Sequence, residues 1–236
     1  MGHITSHFYI PSTSPGDWRC LLEKPDLHWK TGRSAKTLAY CWEESKDFPN
    51  SVKQVFRKSK FSIFQDTEIL LAFPEYKVPL TGGDTASTND IFILAKGHDQ
   101  LISIAVEGKV SEPFDKPVFE WKADMGRGKL PRLHYLCNLL GLDETQVDQI
   151  YYQLIHRTAS AIIEANKFKA NNALMLVHSF GHGDKQKSNH TEYCRFLKLF
   201  GICKADVGTI VRSKRRIDGV SLYFGWAEGE DDYLTR

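Results

Sequence analysis

The segment Ile91-Phe-Ile-Leu-Ala95, followed by the turn Lys96-Gly97-His98-Asp99 and by Leu101-Ile-Ser-Ile-Ala-Val106, decides the fold. Two short apolar runs joined by a polar turn are typical of neighbouring antiparallel strands. A third apolar run, Thr67-Glu-Ile-Leu-Leu-Ala-Phe73, comes earlier and is predicted to stop at Pro74. The three runs together predict an antiparallel meander.

Helical periodicity precedes this meander. Apolar residues recur at intervals of three and four from Ala35 to Trp42, which predicts a helix with Ser34 as its N-cap. Residues 51–58 are predicted to form a second, shorter helix.

The second half of the chain alternates helix and strand. Residues 111–143 are rich in Pro, Gly and charge and are predicted to form a long excursion with one helix over residues 132–140. Residues 146–166 carry the clearest apolar stripe, which predicts a long helix packed on the sheet. A buried strand is predicted over residues 173–177, followed by a helix over residues 192–200.

The C-terminal segment, residues 208–227, is predicted to be a hairpin that turns at Asp218-Gly219. The order of elements indicates an α/β fold, a central mixed sheet flanked by helices. We predict a single domain over residues 1–236, consisting of an N-terminal arm (1–33), a core (34–179) and a C-terminal helix and hairpin (180–236).

Composition excludes several classes of protein. The 236 residues include 31 Lys+Arg against 29 Asp+Glu, and 42% are hydrophobic, so the chain is neither disordered nor a binder driven by bulk charge. No apolar run approaches the roughly 20 residues of a membrane helix, and the N-terminus lacks a secretory pattern. The five cysteines share no CxxC spacing. These features predict a cytoplasmic protein that does not contact a membrane.

Charged residues end the third predicted strand and begin the second. Side chains alternate along a strand, so Glu107 and Lys109 are expected on the same side, with Gly108 on the other. If the strands pair through the turn, Asp90 falls opposite about residues 105–107. Two carboxylates and a lysine would then converge, as a Mg²⁺ or Mn²⁺ site for phosphodiester hydrolysis requires. A structural ion-pair cluster is the alternative.

The tripeptide Glu-x-Lys is a weak signal alone, because it occurs at Glu75, Glu107 and Glu120. Only the copy at Glu107 follows an apolar strand and has an acid at the head of the preceding strand. Glu75 is expected to lie outside its strand, beyond Pro74.

Asp90, followed after 16 residues by Glu107-Gly108-Lys109, resembles the metal-binding motif of the PD-(D/E)XK nuclease superfamily. The resemblance covers roughly residues 34–179 and implies a restriction-endonuclease-like α-β-β-β-α-β core. It implies that Asp90 and Glu107 ligate the metal and that Lys109 is the catalytic lysine. It further implies an assisting acid on the first helix, Glu43 or Glu44, and an assisting glutamine, Gln153.

Two features qualify this resemblance. Asn89 stands where many members have proline, and Gly108 suggests a helix packed closely beneath the strand. Stretches around Trp29, Gly108 and His156 also resemble a group of bacterial proteins of unassigned function. The resemblance therefore implies a fold more firmly than an activity.

Other charged segments allow simpler interpretations. Gln153 and Arg157 flank the apolar stripe of their helix and could be solvated. The clusters Arg57–Lys60 and Arg212–Arg216 could meet a phosphate backbone or be exposed hairpin ends. The acidic tail, residues 228–232, is expected to be frayed.

One segment has zinc-like spacing. It runs from His178, which ends a strand, through His182 and His190 in a predicted polar loop to Cys194. Structural zinc is the less favoured interpretation, because closed zinc sites combine compact paired ligands.

The sequence thus predicts a divalent-metal-dependent nuclease that acts on nucleic acid, with DNA favoured over RNA. The alternative is a catalytically inactive nucleic-acid- or protein-binding module on the same scaffold. A homodimer is left open.

Overall fold

A computed structural model of the chain describes residue 12, residues 14–123 and residues 126–236. The first eleven residues of the predicted arm, and residue 13, lie outside the described residues. The rest of the arm contains two short helices, α1 (Pro15–Trp18) and α2 (Pro25–His28), and a largely exposed segment that joins the second of them to the core.

One mixed sheet runs through the molecule in the order β1-β2-β3-β4-β6-β5. The first three strands are antiparallel, β3, β4 and β6 are parallel, and β5 returns antiparallel to β6. The predicted meander and the α/β class with a central mixed sheet are therefore confirmed. The strands are β1 (Glu68–Val78), β2 (Ser87–Gly97), β3 (Gln100–Lys109), β4 (Asn172–Phe180), β5 (Ile210–Arg212) and β6 (Ser221–Gly229).

The pairing of β2 with β3 agrees with the predicted register. Ile91 lies opposite Val106, and Gly97 lies opposite Gln100. His98 and Asp99 form the tight turn with positive φ angles of 47° and 57°, the geometry that matches the twist of a hairpin. The turn thus places the start of β2 beside the end of β3.

Strand β1 continues past Pro74, so the predicted stop at this residue was wrong. Proline lacks an N–H group and is excluded from central strands, but β1 is at the edge of the sheet, where one side of the ladder is unpaired. Tyr76 still lies opposite Asn89 and Val78 opposite Ser87. Glu75 is consequently part of the strand rather than outside it.

Helices cover both faces of the sheet. On one face, α3 and α4 pack with β3, β4 and β6; on the other, α7 crosses β3 and β4, with α6 and α8 beside it. The helices are α1 (Pro15–Trp18), α2 (Pro25–His28), α3 (Ser34–Ser45), α4 (Asn50–Lys58), α5 (Val118–Trp121), α6 (Lys129–Leu140), α7 (Tyr152–Phe168) and α8 (Asp184–Lys198), with 3₁₀ turns at Arg19–Leu21, Ser62–Phe64, Glu144–Gln146 and Asp231–Thr235.

Several predicted helix starts differ from the structure; α4 begins at Asn50 rather than 51 and α6 at Lys129 rather than 132. Arg33, not Ser34, is the N-cap of α3, and the Ser34 N–H donates to the Glu112 carboxylate at 2.9 Å. Helix α7 begins at Tyr152 rather than 146, because the segment before it bonds to residues 116–119. Helix α8 begins at Asp184 rather than 192. The sequence did not indicate its first turns because they are mostly exposed and carry no apolar stripe.

The C-terminal hairpin is confirmed, with Asp218 and Gly219 at its turn. The acidic tail is more ordered than expected. The Gly181 N–H donates to the Asp231 carboxylate at 3.1 Å, while Tyr233 and Leu234 pack against the core. Within the described residues, no helix is both long enough and apolar enough to cross a bilayer.

The close packing of Gly97 at the end of β2 gives a first prediction. A Cβ atom there would lie 1.9 Å from the Ile63 carbonyl oxygen, so Gly97→Ala must displace backbone. We expect a loss of about 1–3 kcal/mol in the free energy of unfolding, measured by urea denaturation. Gly16→Ala is the control, because its Cβ would meet nothing nearer than 3.7 Å. Equal stability of the two variants would contradict the packing of this turn.

Candidate active site

A cavity of about 850 Å³ lies where β2 begins and β3 ends, beside the first turns of α7. It is lined by four of the five predicted site residues, Asp90, Glu107, Lys109 and Gln153. The hairpin register brings the first three together, and α7 contributes the fourth.

Glu107 and Lys109 lie on the same side of β3, as strand alternation predicts. The Lys109 Nζ donates to Glu107 Oε1 at 2.7 Å and to Gln153 Oε1 at 2.9 Å. It also lies 5.0 Å from the centre of the Phe114 ring. Glu107 and Lys109 are 2% and 4% exposed, so the pair is almost completely removed from water.

Asp90 is held by the backbone of β3. Its carboxylate accepts the Gly108 N–H at 2.7 Å. A Cβ atom on Gly108 would lie 3.2 Å from Leu38 of α3 and 3.3 Å from Asp90 Oδ2. The expected close helix beneath Gly108 is therefore confirmed, and the glycine lets Asp90 approach the strand.

Arg157 belongs to the site, although its position at the border of the apolar stripe suggested a solvated face. It is 6% exposed, and its Nε donates to Glu107 Oε2 at 2.5 Å. Its Nη2 lies 3.8 Å from Asp90 Oδ1. The solvated interpretation was wrong because this end of α7 packs over charged strand ends rather than facing solvent. Gln153 is likewise half-buried against Lys109.

Glu75 also lines the cavity and was missed. Residues on either side of it pair with β2 in a constant register, which places Glu75 across from Asp90. Its φ of 50° lies in the left-handed region, an unusual backbone for a strand residue other than glycine. The Glu75-x-Lys77 tripeptide was the available signal, and Pro74 wrongly argued against it.

The three carboxyl groups differ in their electrostatics. Burial and the nearby Glu107 raise the pKa of Asp90 to about 7, despite Arg157 and Lys109. Burial and Asp90 raise the pKa of Glu75 to about 8. Burial acts in the same direction on Glu107, but Lys109 and Arg157 outweigh it and lower its pKa. Glu107 is thus compensated, whereas Asp90 and Glu75 repel each other's negative charge.

A histidine and a serine extend the polar lining. Ser87 Oγ lies 2.7 Å from His156 Nδ1 and accepts from Arg157 Nη1 at 3.2 Å. Burial, together with Arg157, Arg132 and Lys109, lowers the pKa of His156 well below its ordinary value. The imidazole therefore stays neutral beside this group of cations.

The acids predicted on the first helix lie elsewhere. The Glu43 carboxylate accepts the Trp18 indole N–H at 2.7 Å and the Ser12 hydroxyl, and it does not line the cavity. Glu44 forms a 3.8 Å ion pair with Arg236. The structure therefore places both beside terminal segments and not with Asp90.

The zinc interpretation of residues 178–194 does not fit the structure. His178 is buried between two other side chains: its Nδ1 accepts the Trp42 indole N–H at 3.1 Å, and its Nε2 lies 3.1 Å from Ser51 Oγ. Indole is only a donor, so Nε2 carries the proton and donates to Ser51. His190 lies in α8 with Cys194, while His182 is near Asp231.

The two basic clusters partly meet in another cavity of about 680 Å³. Lys60 and Arg212 both lie over the ring of Phe61, each 5.4 Å from its centre. Ser221, which also lines this cavity, is level with Ile102 in the sheet, at the opposite end of β3 from Lys109. These cations therefore lie away from the carboxylates.

The comparisons with known proteins identify a family but assign it no function. The family model described as Domain of unknown function (DUF6946) matches residues 11–231, and the chain belongs to this family. No curated protein and no solved structure matches the chain.

The burial of neutral His178 predicts a pH dependence of stability. Burial lowers its pKa to about 3, while the unfolded chain has an ordinary pKa of about 6.5. Below pH 6.5 the unfolded state binds a proton that the folded state does not bind. The free energy of unfolding therefore decreases as the pH is lowered. The advantage of the wild type over His178→Gln should shrink by about 3 kcal/mol from pH 6.5 to 4.

Urea denaturation across this pH range measures the effect. His98→Gln, at an exposed position in the β2–β3 turn, should follow the wild-type pH dependence. A wild-type advantage over His178→Gln that does not change with pH would show that the histidine titrates normally in the folded protein.

Proposed function

We propose that this member of the DUF6946 family is a divalent-metal-dependent nuclease that hydrolyses phosphodiester bonds, with DNA as the favoured substrate. One observation carries the proposal: Asp90, Glu107, Lys109 and Gln153, from three separate elements, line one cavity. Their order along the chain and their placement agree with the PD-(D/E)XK resemblance. The succession of α3, the three antiparallel strands, α7 and β4, with α4, α5 and α6 as additions, supports a restriction-endonuclease-like topology.

The donor set fits Mg²⁺ or Mn²⁺ held by two carboxylates. Among the described residues, no three His, Cys, Asp or Glu side chains are grouped to hold one metal ion. Mg²⁺ commonly binds through one or two carboxylates and retains several waters. Asp90 and Glu107 would hold it. Burial and like charge raise the pKa of Asp90, and a divalent cation would relieve both effects.

The bound metal would supply Lewis acidity and lower the pKa of a coordinated water. The protein's own groups account for orientation and charge. Lys109 is fixed by Glu107 on one side and Gln153 on the other, so its Nζ is positioned without reorganisation to orient a water or stabilise phosphorane charge. Gln153 is a positioning residue, because it acts through Lys109.

Arg157 has two consequences for this chemistry. Its positive charge compensates the negative charge of Glu107 and lowers the pKa of that carboxyl group. Glu107 therefore stays ionised, and accepts hydrogen bonds only, although it is almost completely buried. Arg157 also adds a second fixed cation next to Asp90, where a phosphate group would enter. Glu43 has no role in this proposal, since its carboxylate is bound to Trp18.

The same arginine favours a second candidate function. Its guanidinium bonds to Glu107 and lies near Asp90, so it compensates part of the negative charge that a metal would otherwise neutralise. In that case the cavity belongs to a catalytically inactive module that binds nucleic acid or protein. The two functions differ in their response to divalent metal.

The nuclease proposal predicts metal-dependent cutting of supercoiled plasmid, linear duplex or single-stranded DNA, with EDTA abolishing it. Glu107→Gln and Lys109→Met should each reduce the rate at least about 100-fold, because each removes a charge fixed at the reacting phosphate. The measurement is the rate of product formation on gels with Mg²⁺ or Mn²⁺.

Glu68→Gln is the matched control for this assay, as Glu68 is exposed at the far end of β1. Circular dichroism spectra establish that each variant is folded, which matters because breaking a buried ion pair costs about 3–5 kcal/mol. Undiminished cutting by folded Glu107→Gln would refute the assignment.

Metal binding can be tested without cleavage. Mg²⁺ or Mn²⁺ should raise the melting temperature of the wild type, corresponding to about 2.7 kcal/mol at 100 times the Kd. Asp90→Asn should remove this response and itself be no less stable at pH 8, because it removes a buried like charge. A wild type that shows neither a thermal shift nor calorimetric binding of metal would favour the inactive module.

A further inference from the structure

A second cavity, of about 440 Å³, adjoins the candidate active site and is lined by a buried arginine, two of whose guanidinium nitrogens have no hydrogen-bond partner among the described residues. Arg132 is only 7% exposed, and within residues 14–123 and 126–236 nothing accepts a hydrogen bond from its Nε or Nη2. A buried guanidinium with unpaired N–H groups is costly, and folded proteins rarely retain one without a use.

The hydroxyl of Tyr152 is a second unpaired polar group in this cavity. Tyr152 is 6% exposed, and its hydroxyl also lacks a hydrogen-bond partner among the residues that the structure describes. Its ring stacks on Trp121 with centres 3.8 Å apart and an angle of 11°, which fixes the position of the hydroxyl. The two groups lie close enough for the charge of Arg132 to act on the Tyr152 hydroxyl, and the hydroxyl and two guanidinium nitrogens remain without hydrogen-bond partners in the described part of the chain.

Glycines let two loops close around Arg132. Gly82 and Gly83 have positive φ angles of 93° and 136°, which side chains rarely adopt. A Cβ on Gly82 would lie 2.5 Å from the Arg132 backbone nitrogen, and one on Gly128 would lie 2.3 Å from the Gly82 carbonyl oxygen. The loop at 82–83 thus rests directly on the start of α6.

The charge around the cavity is moderately positive. Arg127 and Lys129 join Arg132 in its lining, opposed by Asp84 and Asp115. The cavity also lies at the first turn of α6, where helix N–H groups favour an anion. That turn alone would not define a site, but the unpaired guanidinium points to the same kind of ligand.

We propose that Arg132 and Tyr152 form a binding site for a phosphate group. Tetrahedral phosphate oxygens match the bidentate donors of arginine and would also accept the tyrosine hydroxyl. His156 and Asp115 line both this cavity and the candidate active site. A phosphate bound here would therefore lie next to the reacting centre. Binding at this site does not require cleavage, so the inference goes beyond the proposed function.

The test uses the full chain in EDTA, where metal-dependent cutting is absent. Inorganic phosphate is titrated by calorimetry, and melting temperatures are recorded with and without it. We expect saturable binding by the wild type and at least tenfold weaker binding by Arg132→Met. Arg212→Met is the matched control, since it removes an arginine from the separate basic cavity. It should bind phosphate at the Arg132 site as the wild type does.

A structural role for Arg132 would give a different stability result. Without phosphate, Arg132→Met should be as stable as the wild type or more stable, because it removes an unpaired buried charge. Tyr152→Phe provides a milder variant, expected to fold normally and weaken binding several-fold. Loss of stability in Arg132→Met together with unchanged phosphate binding by Tyr152→Phe would overturn the proposal.

Two further ligands distinguish a phosphate group at the end of a nucleic acid from free phosphate. Deoxyadenosine 5′-monophosphate should compete with inorganic phosphate, while deoxyadenosine should not. Competition by the nucleotide with at least tenfold higher affinity indicates a nucleic-acid end, and equal affinity indicates free phosphate. Wild-type phosphate binding that is absent, or lost only in Arg212→Met, would refute the site. Asp90→Asn should retain phosphate binding, so failure of the nuclease proposal leaves this result unaffected.

Discussion

The burial of the Glu107 carboxylate at the end of β3 is the constraint on which the rest of the site depends. A charge removed from water needs compensation at close range, and two cations supply it. Lys109 comes from the same face of the same strand, and Arg157 comes from α7. The long helix must therefore cross the sheet at this point, and its crossing brings Gln153 to Lys109.

The sequence predicted the parts of this arrangement that depend on local rules. Strand alternation placed Glu107 with Lys109, and the short turn at 96–99 fixed Asp90 beside them. The positions of Arg157 and Glu75 in the site could not be predicted in this way, because they depend on contacts between distant parts of the chain. Burial of Arg157 follows from where α7 crosses the sheet, and Glu75 stays in its strand only because β1 is an edge strand. The apolar residues before Tyr152 have a spacing that is typical of a helix, but they are buried in an irregular segment. The predicted helix was therefore too long at its N-terminus.

The buried polar groups fall into two sets: those whose hydrogen bonds and charges are matched by neighbouring groups, and those whose are not. His178 has partners on both ring nitrogens and acts as a structural link between α3, α4 and β4. Arg132, by contrast, keeps donors that nothing in the described chain accepts, and Asp90 carries a charge that its neighbours only partly compensate. Functional candidates gather where compensation is incomplete, and the two adjoining cavities contain both of these groups.

Both edges of the six-stranded sheet are irregular. At β1, Pro74 removes an N–H group and Glu75 turns the backbone into the left-handed region; at the other edge, β5 has only three residues and ends in Arg212. Unpaired strand edges are templates for adding a strand from another molecule, and natural proteins interrupt them with proline, charge and short length. These interruptions disfavour the pairing of either sheet edge with a strand from another molecule.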